Sequence, residues 1–121
     1  MKKTVIIGAT TNPGRYAYLA ARMLTDYNHE IVPVGIKDGE VFGKEILDIF
    51  ERPPVQDVDT VTLYIGPQKQ PDYYDYILNM KPKRIIFNPG TENDTFEKMA
   101  EAKGIEAMEA CTLVLLRSGQ Y

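Results

Sequence analysis

Five short apolar runs recur along the chain: Val5-Ile6-Ile7, Ile31–Val34, Thr60–Ile65, Arg84–Phe87 and Ile105–Met108. Their length and β-branched content read as strands. The stretches between them have a different rhythm. Tyr16–Leu24 reads as a helix directly after a small-residue turn, Gly8-Ala9-Thr10-Thr11-Asn12-Pro13-Gly14-Arg15. Tyr73, Tyr76, Ile77 and Met80 recur at helical spacing, which predicts a helix over Pro71–Met80. Asn93 or Asp94 stands where a helix cap belongs and Gly104 where a helix stops, so a helix runs to Lys103. Thr112–Arg117 predicts a last short helix. Pro33 lacks a ladder donor, so it is expected near a strand end or beside an irregularity. Glu40–Ile46 reads as a small extended excursion, and Ile46–Phe50 as a helical turn ended by Pro53-Pro54.

Strands alternating with helices imply parallel pairing through crossover connections. Short, mostly apolar strands fit a sheet covered on both faces. The expected fold is α/β: a Rossmann-like doubly wound parallel sheet of about five strands in three layers, ordered 3-2-1-4-5. Residues 1–121 are expected to form one domain. A ligand belongs above the carboxyl ends of the strands, at the switch point beside the first strand. Four segments can converge there: Gly8–Arg15, Val34–Lys37, Tyr64–Gln68 and Asn88–Thr91.

The first turn supplies the chemistry. A strand, a tight turn and a helix start bring orphan backbone amides and the positive end of a helix dipole together, which favours phosphate. Arg15 in the first helical turn opposes that dipole, so an anionic ligand is its natural partner. The glycine fingerprint of dinucleotide sites does not fit, because Thr10 and Pro13 occupy its second and third glycine positions. No acid follows the second strand to hold a ribose; the stretch is Val34-Gly35-Ile36-Lys37. A lysine there suits a ligand with an additional phosphate, either NADP or coenzyme A. No Gly-Lys-Ser/Thr follows the turn, which excludes a Walker site.

Bulk composition narrows the partners. A formal net charge of -3 with dispersed cations argues against nucleic acid. No apolar run approaches a membrane span, and the single cysteine fits a reducing, cytoplasmic setting. One histidine and one cysteine make a transition-metal site built from those residues untenable. Cys111 reads as a small buried residue and His29 as a surface residue in a turn. Lys81, Lys83 and Arg84 read as a solvated strand entry, and Glu92, Asp94, Glu97 and Glu101 as helix-start acids and an outer face. Tyr73, Tyr74 and Tyr76 read as a helix face or partner surface, which leaves a protein partner or a homo-oligomer open.

The ordered series of motifs resembles the small CoA-binding proteins and is similar to the CoA-binding domain of succinyl-CoA synthetase α subunits. It runs from Gly8-Ala9-Thr10, Pro13 and Arg15 through Val32-Pro33-Val34, Glu40-Val41-Phe42-Gly43 and Tyr64-Ile65-Gly66-Pro67. It continues with Asn88-Pro89-Gly90, Asn93, Ala100 to Ile105, and Cys111. Two departures stand out. Such proteins commonly carry Asn-Pro where this chain has Gly35-Ile36, and a Trp-x-Gln-x-Gly pattern where it has Ile86–Gly90.

The resemblance implies a coenzyme A or acyl-CoA ligand. It implies that Gly8, Thr10, Asn12, Pro13 and Arg15 form the diphosphate turn, and that Pro33, Val34 and Lys37 lie near the 3′-phosphate. Ile65, Gly66 and Pro67 would then line the adenine side, with Asn88 and Gly90 completing the cofactor-binding set. No residue set recommends a reaction, so non-catalytic binding is the first reading. An NADP-binding oxidoreductase, or a fragment of one, and a protein-interaction module that has lost its ligand are the alternatives.

Overall fold

The computed structural model describes residues 1–121. A central sheet is built from β1 (Thr4–Ile7), β2 (Ile31–Gly35), β5 (Leu47–Asp48), β6 (Thr60–Leu63), β7 (Arg84–Phe87) and β8 (Glu106–Glu109). Two short strands, β3 (Glu40–Val41) and β4 (Lys44–Glu45), form a separate antiparallel hairpin. The helices are α1 (Tyr16–Asp26), α2 (Tyr74–Asn79), α3 (Asp94–Ala102) and α4 (Thr112–Arg117). All sheet pairings are parallel, with Val5 in register with Val32 and with Val61, and Val61 with Ile85.

The strand alternation sorts side chains onto two faces. Val5, Ile7, Val61, Leu63, Ile85 and Phe87 pack with Tyr76 and Ile77 of α2 and Phe96 and Ala100 of α3. Ile6 and Ile86 pack with Ala17, Ala20, Ala21 and Leu24 of α1 and Leu113 and Leu116 of α4. These are the three layers of a Rossmann-like fold. The alanines leave α1 with little side-chain bulk between its backbone and the sheet.

The sheet order is β5-β2-β1-β6-β7-β8. The five-strand order expected from sequence is therefore corrected. Thr60–Leu63 lies beside β1, and the place outside β2 belongs to Leu47–Asp48. That two-residue strand pairs Val34 and Gly35, backbone that would otherwise form an open edge. The switch point falls between β1 and β6, where the chain leaves one half of the sheet for the other.

Four further expectations need revision. Pro33 sits in mid-strand, opposite Ile6. The Glu30 and Val34 carbonyls accept from Thr4 of β1 and from Gly8 just beyond it, so alternation turns the Pro33 nitrogen to the other side. There β5 begins pairing only at Val34, and the missing donor costs no ladder bond. Arg84 is not a solvated strand entry. It is 7% exposed, donates from Nε to Thr60 Oγ1 at 2.7 Å and lies over the Tyr121 ring at 4.3 Å. Its even position aims it under α1 and α4, where Tyr121 covers it. His29 is half-buried beside the same tyrosine, 4.9 Å between ring centroids, and its Nδ1 accepts the Lys2 amide at 2.8 Å. Tyr73 and Tyr76 turn into the core, so the helix-face reading describes them. The helix expected over Pro71–Met80 begins as a 3₁₀ turn at Pro71–Tyr73 and becomes α-helical at Tyr74.

Candidate functional site

The first turn is held by its own polar groups. Asn12 N–H donates to Thr10 Oγ1 at 3.1 Å, and Gly14 N–H to Asn12 Oδ1 at 2.9 Å. The Arg15 amide closes onto the Asn12 carbonyl at 3.1 Å. Arg15 is the N-cap of α1 in extended conformation, and its side chain makes no cap bond. The amides of Thr10, Thr11, Tyr16 and Ala17 donate to no protein acceptor. Four unused donors thus gather around an 11-residue helix start with no acid in its first turn. Asn12, Pro13 and Arg15 are exposed, and Gly8 and Thr10 are half-buried.

Three close approaches bring neighbouring loops onto this turn. Gly8 has φ +98, and a Cβ there would stand 3.1 Å from Ile65 Cγ2 and from the Tyr64 backbone. A side chain at Gly8 would therefore be strained twice, by conformation and by crowding. A Cβ on Gly35 would lie 2.4 Å from the Ala9 oxygen, and one on Gly39 would lie 2.5 Å from Thr11 Cγ2. The end of β2 and the loop after it are pressed against the first turn. The Val34 carbonyl accepts both Gly8 and Ala9 amides at 2.9 and 3.0 Å, which locks the turn to β2. Lys37 is exposed on that loop and makes no ion pair.

The other two loops are joined by side chains. Asn88 is 2% exposed. Its Nδ2 donates to Thr62 Oγ1 at 2.7 Å and the Leu63 carbonyl at 2.8 Å, and its Oδ1 accepts the Thr112 amide at 2.9 Å. Every polar group of that side chain is used inside the protein, tying the ends of β6 and β7 to the start of α4. Gln70 is fully buried. Its Nε2 donates to the Ile65 carbonyl at 3.0 Å and the Thr91 carbonyl at 2.8 Å, and its Oε1 accepts Asn93 Nδ2 at 2.9 Å. Asn93 also caps α3 through Phe96 N–H and donates to Tyr74 Oη at 2.8 Å.

All four segments singled out in the sequence thus form a continuous chain of contacts at the carboxyl edge. Gly8, Val34, Ile65 and Gly66 lie within it. Gly66 and Pro67 are half-buried, while Gly90 is exposed with φ +93. Pro33 is buried one residue down the strand, and the Asn88 side chain is turned inward. Gln70 was not legible as a site-building residue. A glutamine in a Gly-Pro-Gln-Lys-Gln turn carries no pattern that separates it from solvated polar loop residues. Cys111, half-buried, stands just before α4 without a side-chain cap bond. Nearby, burial pushes the Tyr64 phenol up to about 12, so it stays protonated.

Two features lie apart from this edge. His29, the only histidine, is at the amino end of the sheet among Lys2, Arg84 and Tyr121. A surface cavity of 560 Å³ lies between Arg52–Val55 and α2. At the carboxyl end of β8, the carboxyl groups of Asp94, Glu97 and Glu109 come within 4.8 Å of one another. Burial, reinforced by a hydrogen bond with Glu109 and by the Glu109 and Asp94 charges, pushes Glu97 up to about 7. No helix is long and apolar enough to cross a membrane.

Comparison with known proteins gives two kinds of likeness. The sequence pattern of the family described as the CoA binding domain matches residues 2–117. No curated protein matches the chain. A crystal structure of an uncharacterised protein is 56% identical with a TM-score of 0.96, over 100% of this chain and 98% of the other. A protein from Thermus thermophilus is 22% identical with a TM-score of 0.83, over 99% of this chain and 90% of the other. A hypothetical protein from Pyrococcus horikoshii OT3 is 24% identical with a TM-score of 0.83, over 97% and 82%. The last two share the fold.

Proposed function

The chain belongs to the CoA-binding domain family, and from that premise we propose that it binds coenzyme A or an acyl-CoA without acting on it chemically. The observation that carries the proposal is the cluster of four unused amides at the first turn and the start of α1, beside an arginine without a protein partner. That arrangement suits a diphosphate. In this reading residues 1–121 act as one binding domain. Gly8, Thr10, Asn12, Pro13 and Arg15 hold the diphosphate. Lys37 reaches the 3′-phosphate, with Pro33 and Val34 supporting the turn from below. Ile65, Gly66 and Pro67 pack the adenine. Gly90 borders the pantetheine side, and Asn88 keeps that loop in place through the bonds it makes inside the protein.

Where the reactive groups stand supports the reading of binding without chemistry. His29 accepts a backbone amide at the opposite end of the sheet, too far to act as a base at the carboxyl edge. Cys111 has no histidine beside it, and Tyr64 holds its proton. The test is native mass spectrometry of the purified protein, followed by titration calorimetry with CoA, NADP and NAD. CoA should bind most tightly. Tighter binding of either dinucleotide would replace this reading with the oxidoreductase one. Acyl-CoA hydrolysis lost in Cys111→Ser would make the protein an enzyme.

A further inference from the structure

We infer that Gln70 is a positioning residue for the ligand site, setting the spacing between the two loops that hold opposite ends of one bound molecule. The inference rests on the CoA reading and assigns a role to a residue that makes no ligand contact itself. Gln70 is fully buried, and each of its polar atoms is spoken for. One amide nitrogen bridges two carbonyls: Ile65, next to Gly66-Pro67, and Thr91, next to Gly90. Neither loop reaches the other through a backbone hydrogen bond; the backbone bonds of Gly66–Gln70 and of Thr91 stay within their own segments. The glutamine is the direct hydrogen-bonded tie between them.

The far side of the tie is also anchored. Asn93 Nδ2 donates to both Gln70 Oε1 and Tyr74 Oη, while Asn93 Oδ1 caps α3. The loop after β6 is thereby fastened to the start of α3 as well as to Thr91. An amide is the side chain this geometry requires, because it must donate two bonds and accept one. A carboxylate would lose both donations, and a hydrocarbon would leave the Ile65 and Thr91 carbonyls without this donor in a buried setting and Asn93 Nδ2 with Tyr74 Oη alone. A ligand that touches only one loop is indifferent to the spacing. One that spans both is sensitive to it, since a misfit at either end forfeits contacts at the other.

The test compares CoA with adenosine 3′,5′-bisphosphate, which lacks the pantetheine arm and, of the two loops, reaches only the one bearing Gly66-Pro67. Both are titrated by NMR into the wild type, Gln70→Leu and Asn93→Asp. The aspartate keeps the α3 cap, removes the donations to Gln70 and Tyr74, and sets a carboxylate oxygen against Gln70 Oε1. In Gln70→Leu, CoA should weaken by about tenfold and the bisphosphate by less than about twofold. Asn93→Asp should weaken CoA by about three- to fivefold. Equal weakening of both ligands in Gln70→Leu would signify general loosening and overturn the assignment. Unchanged CoA affinity in either folded variant would do the same. If Gln70→Leu does not fold, Asn93→Asp decides alone. A wild type that binds the bisphosphate and CoA equally would show that one molecule does not span the two loops, and would sink the inference while leaving nucleotide binding intact. A wild type that binds neither would overturn the CoA reading itself.

Discussion

Replacing Asn88 by alanine should destabilise the protein by about 4 kcal/mol. The side chain is 2% exposed and makes three bonds at 2.7, 2.8 and 2.9 Å. Their loss does not fall equally on the partners. Thr62 Oγ1 keeps a second partner in Thr112 Oγ1 at 2.8 Å. The Thr112 amide and the Leu63 carbonyl lose the Asn88 bonds in a region closed to solvent. A buried polar group left unpaired costs about 1–3 kcal/mol. Two such groups give about 2–6 kcal/mol before any collapse of the space left behind. Thr62→Val supplies the comparison. It removes one oxygen, but Asn88 Nδ2 retains the Leu63 carbonyl, so its cost should be about 1–2 kcal/mol. Urea unfolding followed by circular dichroism reads both, with the slope checked for constancy. An Asn88→Ala loss below about 1 kcal/mol, or one no larger than that of Thr62→Val, would refute the reasoning. It would mean that water reaches the orphaned groups and that the inward-turned amide is not what ties β6, β7 and α4 together.

Arg15→Ala and Lys37→Ala should each weaken CoA binding by about 1–3 kcal/mol in calorimetry, and dephospho-CoA should remain sensitive to Arg15→Ala alone. Gly35→Ala should cost about 1–3 kcal/mol in urea unfolding because its methyl would stand 2.4 Å from the Ala9 oxygen; an unchanged midpoint would show that the first turn yields freely. Glu97 holds its proton up to about pH 7 in the folded protein but only to about 4.5 when unfolded, so its contribution to stability falls as pH rises through that window. Glu109→Gln removes one of the charges that raise it, so the slope should flatten and stability at pH 8 should rise by a few tenths to about 1 kcal/mol, the scale of a solvent-screened pair.

The layered fold was legible because short continuous apolar runs, separated by helix-length stretches, mark strands covered on both faces. Val5, Ile6 and Ile7 form such a run, and the fold then sorts Ile6 to one face and Val5 and Ile7 to the other. What escaped was structure too short to have a period. Leu47–Asp48 is two residues long, yet it completes the sheet and decides which strand lies outside β2. Arg84 escaped for a different reason. Charge in a strand entry reads as solvated unless something distant covers it, and its cover is Tyr121, 37 positions along the sequence.

The site divides along the same line. Its backbone chemistry was legible, since a strand, a small-residue turn and a helix start leave the same amides unused in any chain. Its spacing was not, because spacing is set by groups that meet only after folding. Gly35 is the instructive case. In the sequence it reads as a departure from the Asn-Pro common among similar proteins. In the fold it is the residue that lets the Ala9 carbonyl pass over the end of β2, a passage a Cβ would block at 2.4 Å. That approach carries the loop bearing Lys37 against the phosphate-favouring turn, with Gly39 seated on Thr11. In the proposed reading, the lysine two residues on supplies the charge beside that closer backbone. The same logic places Gln70 on the opposite flank, where a buried amide does for Gly66 and Gly90 what a missing Cβ does for Ala9 and Gly35.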